Sequence, residues 1–132
     1  MIAGEDGLLN LEVEDVLVLH MVVLSSNLQE AEAHLLSPDR LEAALSRPLW
    51  HAYNGADMAQ QAAVLAHGIV NNHPFIDGNK RTAGLSFITF LEENGYELTI
   101  PDEELEPWIS KLSQGGDPEG FADFLRRGLG RS

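Results

Sequence analysis

Apolar positions recur at helical spacing along most of the chain and predict helices joined by short loops. From Leu11 to about Leu28, apolar residues return every three or four positions, which predicts a first helix. A second helix is expected to begin at Pro38, because proline suits the first helical position. It is expected to end soon after Leu45, because Pro48 cannot supply the N–H that a helix interior needs.

The central part of the chain predicts an alanine-rich helix. The segment Trp50–Gly55 is interpreted as a plain loop, with a small hairpin or flap as the alternative. Asp57 and Gln60 then have the spacing of a capping box, which places a helix start there. One apolar stripe follows at helical spacing, formed by Met58, Ala62, Leu65, Ala66 and Ile69. The pair His73-Pro74 should end this helix, since the residue before proline is driven out of helical geometry.

Three more helices are predicted after this point. The first begins near Asn79 and ends at Gly95, followed by the short extended piece YELTIP. Two further helices are expected over about Asp102–Leu112 and Pro118–Arg127. The predicted fold is all-α, and the length favours one domain over residues 1–132.

Composition and charge narrow the function classes. The net charge is −13 with only eight Lys and Arg residues, which argues against direct binding of nucleic acid or anionic lipid. The longest apolar run, VLVLHMVVL, is far shorter than the roughly 20 residues that a membrane span requires. The absence of cysteine excludes disulfides and fits a reducing compartment. We therefore expect a cytoplasmic protein without a membrane segment.

The stretch NNHPFIDGNKRTAG, between the two central helices, concentrates polar chemistry in one connection. The free N–H groups and the dipole at the start of the second helix make a natural anion site. Lys80 and Arg81 stand at this helix end, where each cation is disfavoured by about 0.3–1 kcal/mol. A bound polyphosphate is the simplest compensation, since Lys supplies a point charge and Arg a bidentate fork.

The other residues of this stretch suggest complementary roles. Gly78 allows close approach of a ligand to the backbone, and Asn79 can cap the helix or donate its amide to a phosphate oxygen. Asp77 offers a carboxylate that could hold Mg²⁺ together with substrate phosphates. The imidazole of His73 could take a proton from an attacking hydroxyl. Phe75 is expected to point into the core and fix the loop.

The letters HPFIDGNKR resemble the signature loop of the Fic/Doc family. The resemblance implies a single-domain, all-α helical bundle with its active loop between two central helices. It also implies that His73 is the catalytic base and that Asp77 binds Mg²⁺. The residues it implies for phosphate binding are Gly78, Asn79, Lys80 and Arg81.

Two positions distinguish branches of the family. Adenylylating members typically carry Gly after the Asn and a second Arg three residues beyond the first, where this chain has Lys80 and Gly84. Both features resemble the death-on-curing (Doc) branch. That branch implies a toxin that transfers phosphate from ATP, or another nucleoside triphosphate, to a hydroxyl of a target protein such as a translation factor. The alternatives are a Fic-type adenylyltransferase and a non-catalytic member that binds a nucleotide or a partner.

The family also suggests partners. Self-restraining members carry an inhibitory helix, and TFLEEN (Thr89–Asn94) matches its letters. It lies in the helix that leaves the active loop, so we interpret the match as chance and expect a separate antitoxin protein in trans. The resemblance further suggests that the target docks near Trp50–Gly55. Among the other histidines, His20 is expected to be a packed, hydrogen-bonded core residue, and a metal site at His67 is disfavoured.

Overall fold

The computed structural model describes residues 2–3 and 9–132. Within these residues helices dominate, and the prediction of an all-α fold is confirmed. The helices are α1 (Val13–Leu24), α2 (Leu28–His34), α3 (Pro38–Tyr53), α4 (Met58–Asn72), α5 (Asn79–Glu93), α6 (Asp102–Ser113) and α7 (Pro118–Arg126). Four short strands form two antiparallel pairs: β1 (Ile2–Ala3) with β2 (Leu9–Asn10), and β3 (Tyr96–Leu98) with β4 (Leu129–Arg131).

The alanine-rich helix α4 is the centre of the core and packs against α3, α5, α6 and α7. Its start is fixed by the predicted capping box, in which Asp57 accepts the N–H of Gln60 and Gln60 accepts the N–H of Asp57. Its small side chains allow close approach of α3. A Cβ added at Gly68 would lie 3.0 Å from Cβ of Ala44, so a larger residue would require the two helices to move apart slightly.

Helix α3 continues through Pro48, and the prediction that it ends soon after Leu45 is wrong. A proline in a helix interior costs about 3 kcal/mol. Pro48 is buried, and Leu45 and Leu49 also pack in the core, so burial of this helix face offsets the cost. The prediction of a plain loop from Trp50 is wrong as well, because the helix runs to Tyr53.

A short helix, α2, was not predicted. The first helix ends at Leu24 and not near Leu28, because Ser25 takes a left-handed conformation with φ 51°. Asn27 then caps α2 by accepting the N–H of Glu30 at 2.9 Å. The connection from α2 to α3 is important for the site, because it lies beside the loop between α4 and α5.

The C-terminal helices close the core over α4 and α5. The predicted bounds of α5, α6 and α7 are confirmed to within two residues. Phe87 of α5 meets Phe121 of α7 edge to face, with ring centroids 5.4 Å apart. Arg126 of α7 donates to both carboxylate oxygens of Asp57, at 2.8 and 3.1 Å, and so ties the end of α7 to the start of α4.

Candidate active site

The loop between α4 and α5 (residues 73–78) begins in a strained conformation. His73 ends α4 with φ 50° and ψ 57°, in the left-handed region that non-glycine residues enter at a cost of about 1–2 kcal/mol. The predicted helix end at His73-Pro74 is therefore confirmed. Phe75 is fully buried and anchors the loop in the core, as predicted. Such strain persists when the surroundings impose it, and it is frequent at functional sites.

The loop is held from outside by the connection between α2 and α3. Leu35 and Phe75 form an isolated antiparallel bridge. Ile76 N–H donates to the carbonyl of His34 at 2.8 Å, and Leu36 N–H donates to the carbonyl of Pro74 at 2.7 Å. These backbone bonds fix the first half of the loop.

Asn79 holds the loop from inside. Its side chain is buried, accepts the N–H of Phe75 at 3.0 Å and donates to the carbonyl of Phe75 at 2.8 Å. Its Nδ2 also lies 3.1 Å from Nδ1 of His73. An amide N–H can only donate, so Nδ1 of His73 is the acceptor and a neutral His73 carries its proton on Nε2. The Asn79 side chain thus faces the loop and does not cap α5, so the prediction of a helix cap is wrong. Both amide hydrogens are taken by Phe75 and His73, which leaves the backbone N–H as the group that Asn79 can offer to a phosphate.

Asp77 and Gly78 lead into α5. Both Asp77 and the loop histidine are exposed, and Oδ1 of Asp77 accepts the Gly78 N–H at 2.7 Å. Gly78 has φ 80°, a conformation that favours glycine, and no side chain caps α5. The first N–H groups of α5 are therefore left for a ligand. Lys80 and Arg81 lie exposed on this first turn, where the sequence predicts them.

These side chains line one cavity of about 890 Å³, a volume typical of ligand sites. Its loop end is formed by His73, Asp77, Gly78, Asn79, Lys80 and Arg81. The structure therefore brings every predicted site residue to the same cavity. Its walls are apolar side chains of α5 and α6, among them Leu85, Ile88, Leu105 and Ile109.

The far end of the cavity carries negative charge that the sequence analysis missed. Helix α6 runs antiparallel to α5. Asn71 lies in the last turn of α4, and its Nδ2 donates to the carbonyl of Leu112 at 3.1 Å, so the end of α6 lies beside the loop between α4 and α5. Ile109 lies beside Gly84 of α5, because a Cβ added at Gly84 would be 3.5 Å from Cδ1 of Ile109. Asp102 and Glu106, at the start of α6, line the other end. Helical spacing predicted α6, but no sequence signal linked its polar face to the loop.

Two histidines outside the loop are hydrogen-bonded to other parts of the chain, and for His20 this confirms the prediction of a packed core residue. His20 is fully buried and hydrogen-bonded, since its Nε2 lies 3.0 Å from the carbonyl oxygen of Asp77. His67 accepts at Nδ1 from Arg47 Nη1 at 2.7 Å. Burial, and next the charge of Arg47, lower the pKa of His67. Among the described residues, no three His, Asp or Glu side chains converge as a metal site.

The segment Thr89–Asn94 lies within α5 or at its end, as expected for a chance match. Arg81 and Glu93 are twelve residues apart on one helix, or about 18 Å. Glu93 therefore cannot fold back onto Arg81. Within residues 2–3 and 9–132, no helix combines the length and apolar character needed to cross a bilayer.

Comparison with known proteins gives consistent similarities. Residues 10–91 match the family model described as the Fic/DOC family. Toxin Doc of Mycolicibacterium smegmatis is 36% identical over 92 residues, which cover 67% of this chain and 66% of that protein. Protein adenylyltransferase Fic of Drosophila grimshawi is 35% identical over 75 residues, covering 54% of this chain and 16% of that enzyme. The corresponding enzyme of Drosophila erecta is 40% identical over 67 residues, covering 48% and 14%. The chain thus spans slightly less than two thirds of the mycobacterial toxin and a small part of each fly enzyme.

Proposed function

The chain belongs to the Fic/Doc family, and from this premise we propose that it is a Doc-like toxin that phosphorylates a hydroxyl of a target protein. The observation that carries the proposal is the convergence of His73, Asp77, Lys80 and Arg81 on one cavity at the uncapped start of α5. The Doc-like choice is supported by Lys80 and Gly84 and by the similarity to Toxin Doc, which spans more of both chains than the similarity to the fly enzymes.

The triphosphate of ATP, or of another nucleoside triphosphate, is assigned to the loop end of the cavity. Two cations there are disfavoured by the helix dipole. A polyphosphate would accept from the free backbone N–H groups of α5, including those of Asn79 and Lys80, and would pair with both cations. Gly78 lines the same end of the cavity, and a Cβ added there would lie 3.3 Å from the Leu24 side chain of α1.

Asp77 has the chemistry of a Mg²⁺ ligand. One carboxylate oxygen is tied to the Gly78 N–H, and no hydrogen bond from the described residues reaches the other oxygen. Mg²⁺ is commonly held by one or two carboxylates together with substrate phosphates, and this donor set fits that pattern. When bound, the ion would neutralise charge that develops on the phosphates.

The nucleoside is assigned to the space between α5 and α6. The apolar walls suit a base, while Asp102 and Glu106 can accept from sugar hydroxyls at the end away from the cations. The span from Asn79 to Ile88 along α5 is about 13 Å. A nucleotide lying along α5 therefore matches the distribution of charge in the cavity.

His73 is proposed as the general base. The hydroxyl oxygen of the target bonds to the γ-phosphorus, and the bond from that phosphorus to the bridging oxygen breaks. The nucleoside diphosphate leaves with that electron pair, while His73 takes the hydroxyl proton. To present a bare Nε2, the imidazole must first move its proton to Nδ1 and give up the contact with Asn79, at a cost of about 1 kcal/mol. Exposure of His73 to water allows this exchange.

Four expectations stay predictions. They are a separate antitoxin in trans, a protein target, a cytoplasmic location and a single domain over residues 1–132. The antitoxin is supported by the position of Thr89–Asn94 in α5, where it cannot reach the active loop. The predicted docking segment Trp50–Gly55 is the exposed end of α3 and the following turn, with Tyr53 91% exposed. We keep it as the predicted target contact.

One labelling experiment tests the proposal. The protein is incubated with a cell extract and with ATP labelled at either the γ or the α position, and label on protein is measured. Label from the γ position alone supports phosphotransfer. Label from the α position would replace the proposal with adenylyl transfer, which the fly relatives favour. If neither label reaches protein although calorimetry detects ATP binding, the chain is a non-catalytic binder.

A further inference from the structure

We infer that His20 of α1 is a positioning residue that holds the peptide between Asp77 and Gly78 and so aims the Asp77 carboxylate. The link from this carboxylate to Mg²⁺ rests on the proposed function. The hold on the peptide itself rests on geometry alone. His20 is fully buried, and its Nε2 lies 3.0 Å from the carbonyl oxygen of Asp77.

The hydrogen bond fixes the protonation of the ring. A carbonyl oxygen can only accept, so Nε2 of His20 carries a hydrogen, and in the neutral ring Nδ1 is bare. This Nδ1 is buried and has no partner among the described residues. An unpaired buried polar atom is unfavourable for stability, and an apolar side chain would avoid the penalty. The bond to Asp77 is thus the feature that a histidine adds at this position.

The peptide plane between Asp77 and Gly78 is hydrogen-bonded on both sides. The carbonyl of Asp77 and the N–H of Gly78 belong to the same planar group and point in opposite directions. His20 binds the carbonyl, while Oδ1 of Asp77 accepts the N–H at 2.7 Å. If this peptide turned over, the Gly78 N–H would leave Oδ1 and the carboxylate would lose its orientation. Gly78, with φ 80°, offers no steric barrier of its own to such a turn.

The other clamps act on different parts of the loop. The bonds from the connection between α2 and α3 reach Pro74 and Ile76, and Asn79 reaches Phe75. Among the described residues, His20 supplies the hydrogen bond that reaches the Asp77 carbonyl from outside the loop.

A purely structural role is the competing explanation. The imidazole of His20 stacks on Phe75, with ring centroids 4.1 Å apart and an angle of 19° between the planes. Two substitutions separate the roles. His20→Phe keeps an aromatic ring on Phe75 and removes the N–H donor. His20→Gln keeps an N–H at a similar reach and removes the ring.

The experiment compares both variants with the wild-type chain by calorimetry with ATP, in Mg²⁺ and in EDTA. We expect His20→Phe to lose about tenfold or more of the Mg²⁺-dependent gain in ATP affinity, the size typical of lost support behind a metal ligand. Its ATP affinity in EDTA should be unchanged, because the phosphate-binding groups are intact. His20→Gln should lower the melting temperature but keep the Mg²⁺-dependent gain. If His20→Phe keeps the Mg²⁺-dependent gain and His20→Gln loses it, the inference is overturned and packing explains His20.

A second readout needs no nucleotide. By NMR, the Gly78 amide should exchange with solvent faster in His20→Phe than in wild type, and the imidazole ¹⁵N shifts of wild-type His20 should show a proton on Nε2. If wild type binds no ATP, the proposed function fails, but these two measurements still decide the role of His20. Unchanged exchange at Gly78 in a folded His20→Phe would overturn the inference. A bare Nε2 in wild-type His20 would overturn it even if His20→Phe does not fold.

Discussion

Asn79 holds Phe75 and His73 together: its Nδ2 donates to the Phe75 carbonyl at 2.8 Å and lies 3.1 Å from Nδ1 of His73. One side chain therefore fixes the buried anchor of the loop and the proton position of the proposed base. The bidentate bond to the Phe75 backbone satisfies two polar groups that the core would otherwise leave unpaired.

Replacement of Asn79 by Ala should destabilise the fold strongly. Both backbone groups of Phe75 would lose their partner in the core, and we expect the free energy of unfolding to fall by about 2–4 kcal/mol in urea titration. The matched control is Asn72→Ala, which removes an exposed bond to the Arg40 carbonyl and should cost less than about 1 kcal/mol. Equal losses in the two variants would contradict the assignment.

Replacement of His73 by Ala should abolish transfer without unfolding the protein. Loss of a general base typically slows a reaction by about 10²–10⁴-fold. Because His73 is exposed, the free energy of unfolding should change by no more than about 1 kcal/mol. Label transfer and ATP calorimetry check this together: binding should persist while transfer disappears. Undiminished transfer would exclude His73 as the base.

Replacement of Lys80 by Gln should weaken nucleotide binding while leaving stability intact. Removing a cation from the start of α5 should raise the free energy of unfolding slightly, by about 0.3–1 kcal/mol. ATP affinity should fall about tenfold, since a charge-assisted phosphate contact is lost. Lys111→Gln is the control, because Lys111 lies over the Trp108 ring and not in the cavity lining. An unchanged ATP affinity would make Lys80 an ordinary surface cation.

Replacement of Glu106 by Ala tests the nucleoside end of the cavity. We expect ATP affinity to fall several-fold, because a carboxylate acceptor for sugar hydroxyls is removed. Affinity for inorganic triphosphate should not fall, since that ligand occupies only the cationic end. Glu103→Ala, on the same helix but outside the cavity lining, should leave both affinities unchanged. Parallel loss of both ligands in Glu106→Ala would contradict the assigned direction.

The ion pair between Asp57 and Arg126 should make stability depend on pH in the acid range. The hydrogen bond from Arg126 is the main cause that lowers the pKa of Asp57 below its ordinary value of 3.8. A depressed carboxyl pKa contributes stability above the unfolded value, and this contribution is lost as pH falls below about 4 through the folded pKa. Asp57→Asn keeps a helix cap and removes the charge. Its melting temperature should fall less than that of wild type between pH 5 and about pH 3, and equal slopes would contradict the linkage.

Patterns among residues that are close in sequence predicted most of the fold and most of the site. The capping box at Asp57, the His73-Pro74 break and the clustered polar residues before α5 depend on neighbours in sequence, so they could be predicted. The predicted end of α3 before Pro48 was wrong because burial of this helix face outweighed the cost of a proline in the helix interior. The inward direction of Asn79 comes from bonds to Phe75 and His73 within the same loop, which the residue types alone did not indicate. The hydrogen bond from His20 to Asp77 and the acidic end of the cavity depend on contacts between distant segments. A single sequence does not contain those distances.

Lys80 and Arg81 at the loop end of the cavity, and Asp102 and Glu106 at the other end, make it directional for the proposed nucleotide. A nucleotide that entered reversed would set its phosphates against Asp102 and Glu106 and its sugar against Lys80, so like charges would meet at one end. The same arrangement of charges would restrict which phosphate of the nucleotide could become the transferred group. Turning the nucleotide around would require the charges at the starts of α5 and α6 to be exchanged together.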